Sequence, residues 1–187
     1  MNNMKTDEVL DAKGLACPMP IVRTKKAMDA MKSGQVLEIQ ATDKGSTADL
    51  QAWAKRSGNQ YLGTVEEGTT LFHYVRKSSS EEAIEKSYPN VVNNDELKKI
   101  IQEKNDVVLI DVREAAEYAF DHISHAQSIP LGELDHRMNK LSKEDEIYVI
   151  CRTGNRSDMA SKVLVENGFK HVKNVVPGMI TWIKEEK

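Results

Sequence analysis

The chain has 187 residues, room for one medium domain or two small ones, and its 40% apolar and 29% charged composition is that of a folded chain rather than a disordered one. A net charge of −3 excludes a generally basic nucleic-acid binder. No apolar run approaches the roughly 18 residues of a membrane span, and the N-terminal Met1-Asn-Asn-Met-Lys-Thr6 lacks an apolar signal core, so a cytoplasmic protein without nucleic-acid or membrane partners is expected. The charge is uneven: residues 1–77 sum to +2 and residues 78–187 to −5.

The first half opens with a short apolar strand at 9–12. A helix is expected over 20–31, started by Pro20, whose missing N–H costs nothing in the first turn. A strand follows over 37–41, with Leu37, Ile39 and Ala41 on one side and Glu38 and Gln40 on the other. Ser46 reads as a helix cap with Asp49 three residues on, ahead of a stripe formed by Leu50, Trp53 and Ala54. Strands at 61–65 and 71–75, joined by a Glu-Glu-Gly turn, complete a β-α-β-α-β-β order. Two helices on one face of a four-stranded sheet is the simplest packing.

The segment Arg76-Lys-Ser-Ser-Ser-Glu-Glu82 is small, polar and charged and reads as a boundary. Domains are therefore expected at 1–76 and 88–187, with a linker at 77–87. In the second half, Asn93 and Glu96 form a capping signature before a helix containing Leu97, Ile100 and Ile101. Residues 107–112 form a continuous apolar run, as expected of a strand covered on both faces. Helices are expected near 114–120 and 133–141, and a second buried strand over 147–150. A helix over 157–167 carries Met159, Ala160, Val163 and Leu164 on one stripe. A short strand at 172–175 and a helix through Trp182 close the chain. Strands alternating with helices imply a parallel α/β sheet.

Of the two cysteines, Cys17 and Cys151, neither sits in a Cys-x2-Cys or Cys/His pattern, and a reducing compartment disfavours a structural disulfide. Cys151 lies directly after the 147–150 strand and before a helix. Ligands of open α/β sheets bind there, beyond the carboxyl ends of the strands. The loop is Cys151-Arg-Thr-Gly-Asn-Arg156, then Ser157. Gly154 permits the sharp curvature that turns successive N–H groups inward as an anion nest. The following helix adds its positive end, and Arg152 and Arg156 add full charges. Such a setting favours a reactive thiolate over an inert packing cysteine, and would equally hold an anionic persulfide. Arg152, Thr153, Gly154, Asn155, Arg156 and Ser157 are the expected substrate-binding residues.

Asp111-Val-Arg-Glu-Ala-Ala-Glu-Tyr118, His122-Ile, Ser128-Ile-Pro-Leu131, the Cys151–Ser157 loop, and Gly168-Phe, Asn174-Val, Gly178-Met and Trp182 together resemble a single-domain rhodanese over residues 88–187. That resemblance implies a five-stranded parallel α/β fold and a catalytic cysteine at Cys151. Asp121 and Pro177 depart from the glycines usual before His122 and Gly178. Cysteine phosphatases and arsenate reductases also cradle an anion with a thiolate and an arginine. Their loops place five residues between the two, whereas four separate Cys151 from Arg156. The tighter ring suits one terminal sulfur better than a phosphate.

Cys17 lies in Gly14-Leu-Ala-Cys-Pro-Met-Pro20. The two prolines restrict the backbone and should present the thiol at the start of the next helix, with Arg23, Lys25 and Lys26 nearby. An exposed, electropositive cysteine is the setting of a reactive thiol. Residues 10–20, with Ala41-Thr-Asp-Lys-Gly-Ser46, Asp49-Leu and Trp53, resemble the TusA (SirA-like) sulfur-carrier family over residues 7–76. The resemblance implies a compact sandwich and a sulfur-accepting Cys17.

Together the two resemblances imply a sulfurtransferase. Cys151 would take sulfane sulfur from a small-molecule donor such as thiosulfate or a low-molecular-weight persulfide, and pass it to Cys17 or to another thiol or protein acceptor. Transfer within one chain and across a homodimer are both open. Every step is substitution at sulfur, so no cofactor and no metal are required. A docking module with an incidental Cys17 is the alternative for the first half. Asp111 and Arg113 sit at a strand end facing the loop side, and Arg113 reads as half of a structural ion pair with Glu114 or Glu117. His122 and His125 lack a third metal ligand nearby, His73, His136 and His171 carry no pattern, and Lys98-Lys99 reads as a solvated face.

Overall fold

The first half forms, in order, β1 (Glu8–Asp11), α1 (Met19–Ala30), β2 (Val36–Ala41), α2 (Ser46–Ser57), β3 (Gln60–Glu67) and β4 (Thr70–Arg76) in a computed structural model that describes residues 4–83, 85–104 and 106–185. The chain divides into two units, one through Ser80 and one from Glu81. The first sheet has the order β1-β2-β4-β3, with β1 parallel to β2 and the other pairs antiparallel. Leu37 and Ile39 alternate onto one face, and Val75 lies opposite Leu37 in the ladder. Met28 of α1 and Leu50 and Ala54 of α2 pack with them in a single core. Leu50, fully buried, contributes about 1.5–3 kcal/mol by leaving water.

Two details depart from the sequence reading. Gly45, not Ser46, occupies the cap position of α2, and Ser46 is its first helical residue. The Ser46 hydroxyl instead donates to the Asp43 carbonyl (2.5 Å) and lies 2.9 Å from His73 Nε2. His73, which carried no pattern, is fully buried, with Tyr61 Oη and Thr64 Oγ1 at 2.9 and 3.0 Å from its Nδ1. Since the Ser46 proton goes to Asp43, the His73 proton belongs on Nε2, leaving Nδ1 to accept. Burial pushes its pKa down to about 4.

The second unit follows as β5 (Val91–Val92), α3 (Asn94–Glu103), β6 (Val108–Asp111), α4 (Ala115–Phe120), β7 (Gln127–Ser128), α5 (Leu134–Arg137), β8 (Glu146–Ile150), α6 (Asn155–Glu166), β9 (His171–Val175) and α7 (Met179–Glu185). Its five strands are all parallel, in the order β5-β9-β8-β6-β7. Alternation along β8 feeds both faces. Ile147, Val149 and Cys151 pack with Ala160 and Leu164 of α6, while Tyr148 and Ile150 pack with Leu97 of α3 and with Met179 and Trp182 of α7. Asn93 and Glu96 form the expected reciprocal cap on α3.

The strands β5 and β7 have two residues each, too short to show a period of two. The helix expected over 133–141 holds α-geometry only over α5. Its apolar spacing continues through Leu131, Leu134, Met138 and Leu141, but the flanking turns tighten to 3-10 geometry. The expected linker 77–87 is hydrogen-bonded at both ends. Lys77 N donates to Gln35 O and Ser78 N to Asn59 Oδ1 in the first unit. In the second, Ser87 N and Tyr88 N both donate to Asp158 Oδ1. Among the described residues, no helix is long and apolar enough to cross a membrane.

Candidate active site

Strand β8 delivers Cys151, a residue 1% exposed, to the carboxyl edge of the second sheet. Gly154, with φ +88°, turns the chain back into α6. A Cβ at Gly154 would also press on Val176 Cγ2 at 3.2 Å, so the position needs glycine for both conformation and space.

The orientation of the loop follows from what its carbonyls bind. Cys151 O accepts from Met179 N (2.9 Å) and Arg152 O from Ile180 N (3.0 Å), both in the first turn of α7. Thr153 O accepts from Lys86 Nζ (2.9 Å). Gly154 O accepts from Asn174 Nδ2 (3.1 Å) and Asp158 N (3.1 Å). In a planar trans peptide the C=O and the next N–H point in opposite directions. Four carbonyls held by surrounding groups therefore turn the N–H groups of residues 152–155 toward the loop's centre. There, Gly154 N donates to Cys151 Sγ (3.2 Å), and Ser157 Oγ donates to it as well (3.3 Å). A sulfur that accepts two hydrogen bonds has the surroundings of an anion. α6 adds its N-terminal end.

Gly178 closes the arrangement from behind. Its φ is +88°, and a Cβ there would lie 2.4 Å from Cys151 O. Asn94 Nδ2 donates to Gly178 O (3.1 Å), fixing that turn to α3.

The loop side chains divide. Arg152 is exposed. Asn155 Nδ2 is tied to the Glu82 carbonyl, and Thr153 Oγ1 leans on Asn155 Oδ1 at 3.4 Å. The expectation for Arg156 needs correcting. It is 2% exposed, and its Nη1 and Nη2 bind the two Glu117 carboxylate oxygens at 2.6 and 2.9 Å. Glu82 lies 3.8 Å from its Nε. Burial opposes the Arg156 charge, and Glu117 outweighs it by charge and hydrogen bonds, with Cys151 and Glu82 adding; the net effect raises its pKa. A guanidinium spent on a buried bidentate pair supports the loop from below rather than presenting a fork to a donor. Arg113 binds Asp111 (2.6 Å) and the Asp121 carbonyl (2.7 Å), while the Glu117 carboxylate is bound by Arg156.

Cys17 is exposed just ahead of α1, as the prolines suggest. Its electrostatic setting differs from the expectation. The Asp49 side chain, from the first turn of α2, hydrogen-bonds the thiol, and with desolvation and the Asp43 charge it raises the Cys17 pKa. The carboxylates of Asp49 and Asp43, not the cations of α1, set the direction of the shift. Among the described residues, no group of three His, Cys, Asp or Glu is placed to hold a metal.

The sequence suggests Glu117 only as a partner of Arg113, and Asn174 and Gly178 only as parts of the motif that carries the resemblance; their roles in holding the Cys151 loop, and that of Lys86, come from the structure. Asn174 carries a local signal, an amide beside the valines of a short strand, and Gly178 is a glycine opening a helix. Lys86 and Glu117 carry none.

A parallel sheet with a cysteine loop whose N–H groups turn inward, and a sandwich with an exposed cysteine, make up a chain whose relatives are sulfurtransferases and sulfur carriers. The chain belongs to the family that fuses a TusA domain to a rhodanese-like domain: the family described as "Sulfurtransferase TusA" matches residues 8–77, and "Rhodanese-like domain" matches residues 93–185. It is 51% identical over 179 residues to a Bacillus subtilis (strain 168) protein named "Putative sulfur carrier protein YrkF", covering 96% of this chain and 97% of that one. It is 52% identical over 73 residues to the "Sulfur carrier protein TusA" of Allochromatium vinosum, covering 39% of this chain and 95% of that one. The solved human single-domain sulfurtransferase TSTD1 superposes with a TM-score of 0.50 at 24% identity, over 53% of this chain and 99% of that one, a likeness of fold.

Proposed function

We propose that Cys151 takes the sulfane sulfur of thiosulfate or a low-molecular-weight persulfide and passes it to Cys17 or to another thiol. The Cys151 thiolate attacks the outer sulfur of the donor. One S–S bond forms, the donor's S–S bond breaks, and the electron pair leaves with sulfite or a thiolate. The product is a Cys151 persulfide, whose terminal sulfur is anionic. An acceptor thiolate then attacks that sulfur and restores the Cys151 thiolate. Exposed Arg152 attracts the donor's negative group, the N–H groups of residues 152–155 hold the persulfide charge, and Ser157 supplies one further donor.

The observation that carries this reading is the pair of donors on Cys151 Sγ inside a loop whose carbonyls all face away. Exposure of Cys17 supports its role as acceptor, and its raised pKa makes it a resting thiol that must lose a proton to accept sulfur. The test is sulfite release from thiosulfate by the full chain. Cys17→Ser should release one sulfite per chain in a burst, and Cys151→Ser none. A Cys151→Ser variant that kept the burst would sink the assignment.

A further inference from the structure

The chain entering the second unit is bound to the Cys151 loop rather than lying beside it. Tyr88, 8% exposed, anchors it: its hydroxyl donates to Val172 O (2.8 Å), and the Ser87 and Tyr88 N–H groups share Asp158 Oδ1 at 3.0 and 2.8 Å. Glu82 provides a second attachment through Asn155 and Arg156. Between these points, Lys86 reaches the loop. Its Nζ donates to Thr153 O at 2.9 Å, and its stem lies over Gly154, with Cδ and Nζ 3.5 and 3.4 Å from where a Cβ would stand.

Thr153 O and Gly154 N belong to one peptide plane. Lys86 pulls its oxygen, and the hydrogen on its other edge points at Cys151 Sγ. The three neighbouring carbonyls are held by backbone N–H groups or a buried amide, whereas this one is held by an exposed side chain. Without Lys86 the 153–154 peptide is the loop peptide most able to rotate. Gly154 at its far end offers the least resistance.

We propose that Lys86 is a positioning residue of the sulfur-transfer site: by holding Thr153 O outward, it aims the Gly154 N–H at the Cys151 sulfur. The inference rests on the sulfur-transfer reading for its biological meaning. Its geometry concerns the reactivity of Cys151 with any electrophile. Lys86 acts through the peptide, so a guanidinium that reaches the same carbonyl should replace it.

The test uses the full chain carrying Cys17→Ser, with Lys86→Met and Lys86→Arg compared against the parent. The first readout is the rate at which iodoacetamide, a neutral reagent, alkylates Cys151 at neutral pH, per folded chain. The second is the split between kcat and KM for sulfite release from thiosulfate with a low-molecular-weight thiol added as acceptor, so that Cys151 turns over without Cys17. Lys86→Met should lower the alkylation rate and kcat by roughly five- to tenfold, the scale of one hydrogen bond. The melting temperature should not change, and Lys86→Arg should recover most of the loss. Unchanged rates in Lys86→Met would overturn the proposal. So would a rise confined to KM, which would mean simple charge attraction, or a loss that merely tracked the unfolded fraction. If the parent gains no sulfur from thiosulfate, the sulfur-transfer reading fails by itself, and the alkylation rates still decide on Lys86.

Discussion

Gly178→Ala tests whether the turn behind the loop sets the position of Cys151. An alanine Cβ would start 2.4 Å from Cys151 O and must retreat by about 1 Å to reach ordinary contact. Either the turn or the loop moves. The movement threatens the bonds from Met179 N to Cys151 O and from Ile180 N to Arg152 O, each worth about 1 kcal/mol. The φ of +88° adds about 1–2 kcal/mol of strain for a residue with a Cβ. The expected destabilisation of the second unit is therefore about 3–4 kcal/mol. A 1 Å displacement of a reacting group can cost on the order of 100-fold in rate. Urea denaturation followed by Trp182 fluorescence, with Trp53→Phe to silence the other tryptophan, reads the stability. Sulfite release reads the rate. A variant within about 0.5 kcal/mol of the parent and equally active would refute the reasoning.

Other outcomes follow from the charged groups. His73 binds its proton more weakly folded, at about 4, than unfolded, at about 6.5, so its contribution to stability is fully present above pH 6.5 and is lost as the pH falls toward 4. The difference amounts to about 3 kcal/mol, and a His73→Gln variant measured beside the parent at pH 7 and pH 4 should lack that share of the slope; equal slopes would contradict it. Asp49→Asn should speed alkylation of Cys17 at neutral pH in a Cys151→Ser background, because the carboxylate that raises the thiol pKa is gone, and slower alkylation would reverse the assignment. Glu117→Gln should cost roughly 3 kcal/mol by leaving Arg156 buried without its carboxylate, and adding Arg156→Met should recover much of it. An unaltered urea midpoint in Glu117→Gln would show that the pair carries no such weight.

The Cys151 loop was legible because it is contiguous: strand, cysteine, glycine and helix start fall within ten residues, and local rules read them together. What holds the loop comes from elsewhere in the chain. Lys86 is 67 residues from Thr153, Asn174 is 20 from Gly154, and Glu117 is 39 from Arg156. Arg156 was misjudged for this reason: an arginine beside a reactive cysteine looks available until its carboxylate partner is in place. Cys17 was misjudged in the same way. Its cations are neighbours along the chain, but the carboxylate that hydrogen-bonds it, Asp49, arrives from the next helix, where the sequence suggests only a capping role. Long elements with strong periods, such as β2, α3 and α6, declared themselves. The two-residue strands β5 and β7 exist through ladder hydrogen bonds to β9 and β6, which no local pattern encodes.

The central claim concerns which cysteine receives sulfur first. Brief exposure of the full chain to thiosulfate, followed by acid quench, digestion and mass measurement of the two cysteine peptides, tests it directly. The account predicts a gain of one sulfur atom on the Cys151 peptide at the earliest times, with the Cys17 peptide gaining sulfur later and only when Cys151 is intact. Sulfur on Cys17 in a Cys151→Ser chain at the parent's rate, or no gain on Cys151 from thiosulfate or any low-molecular-weight persulfide, would contradict it.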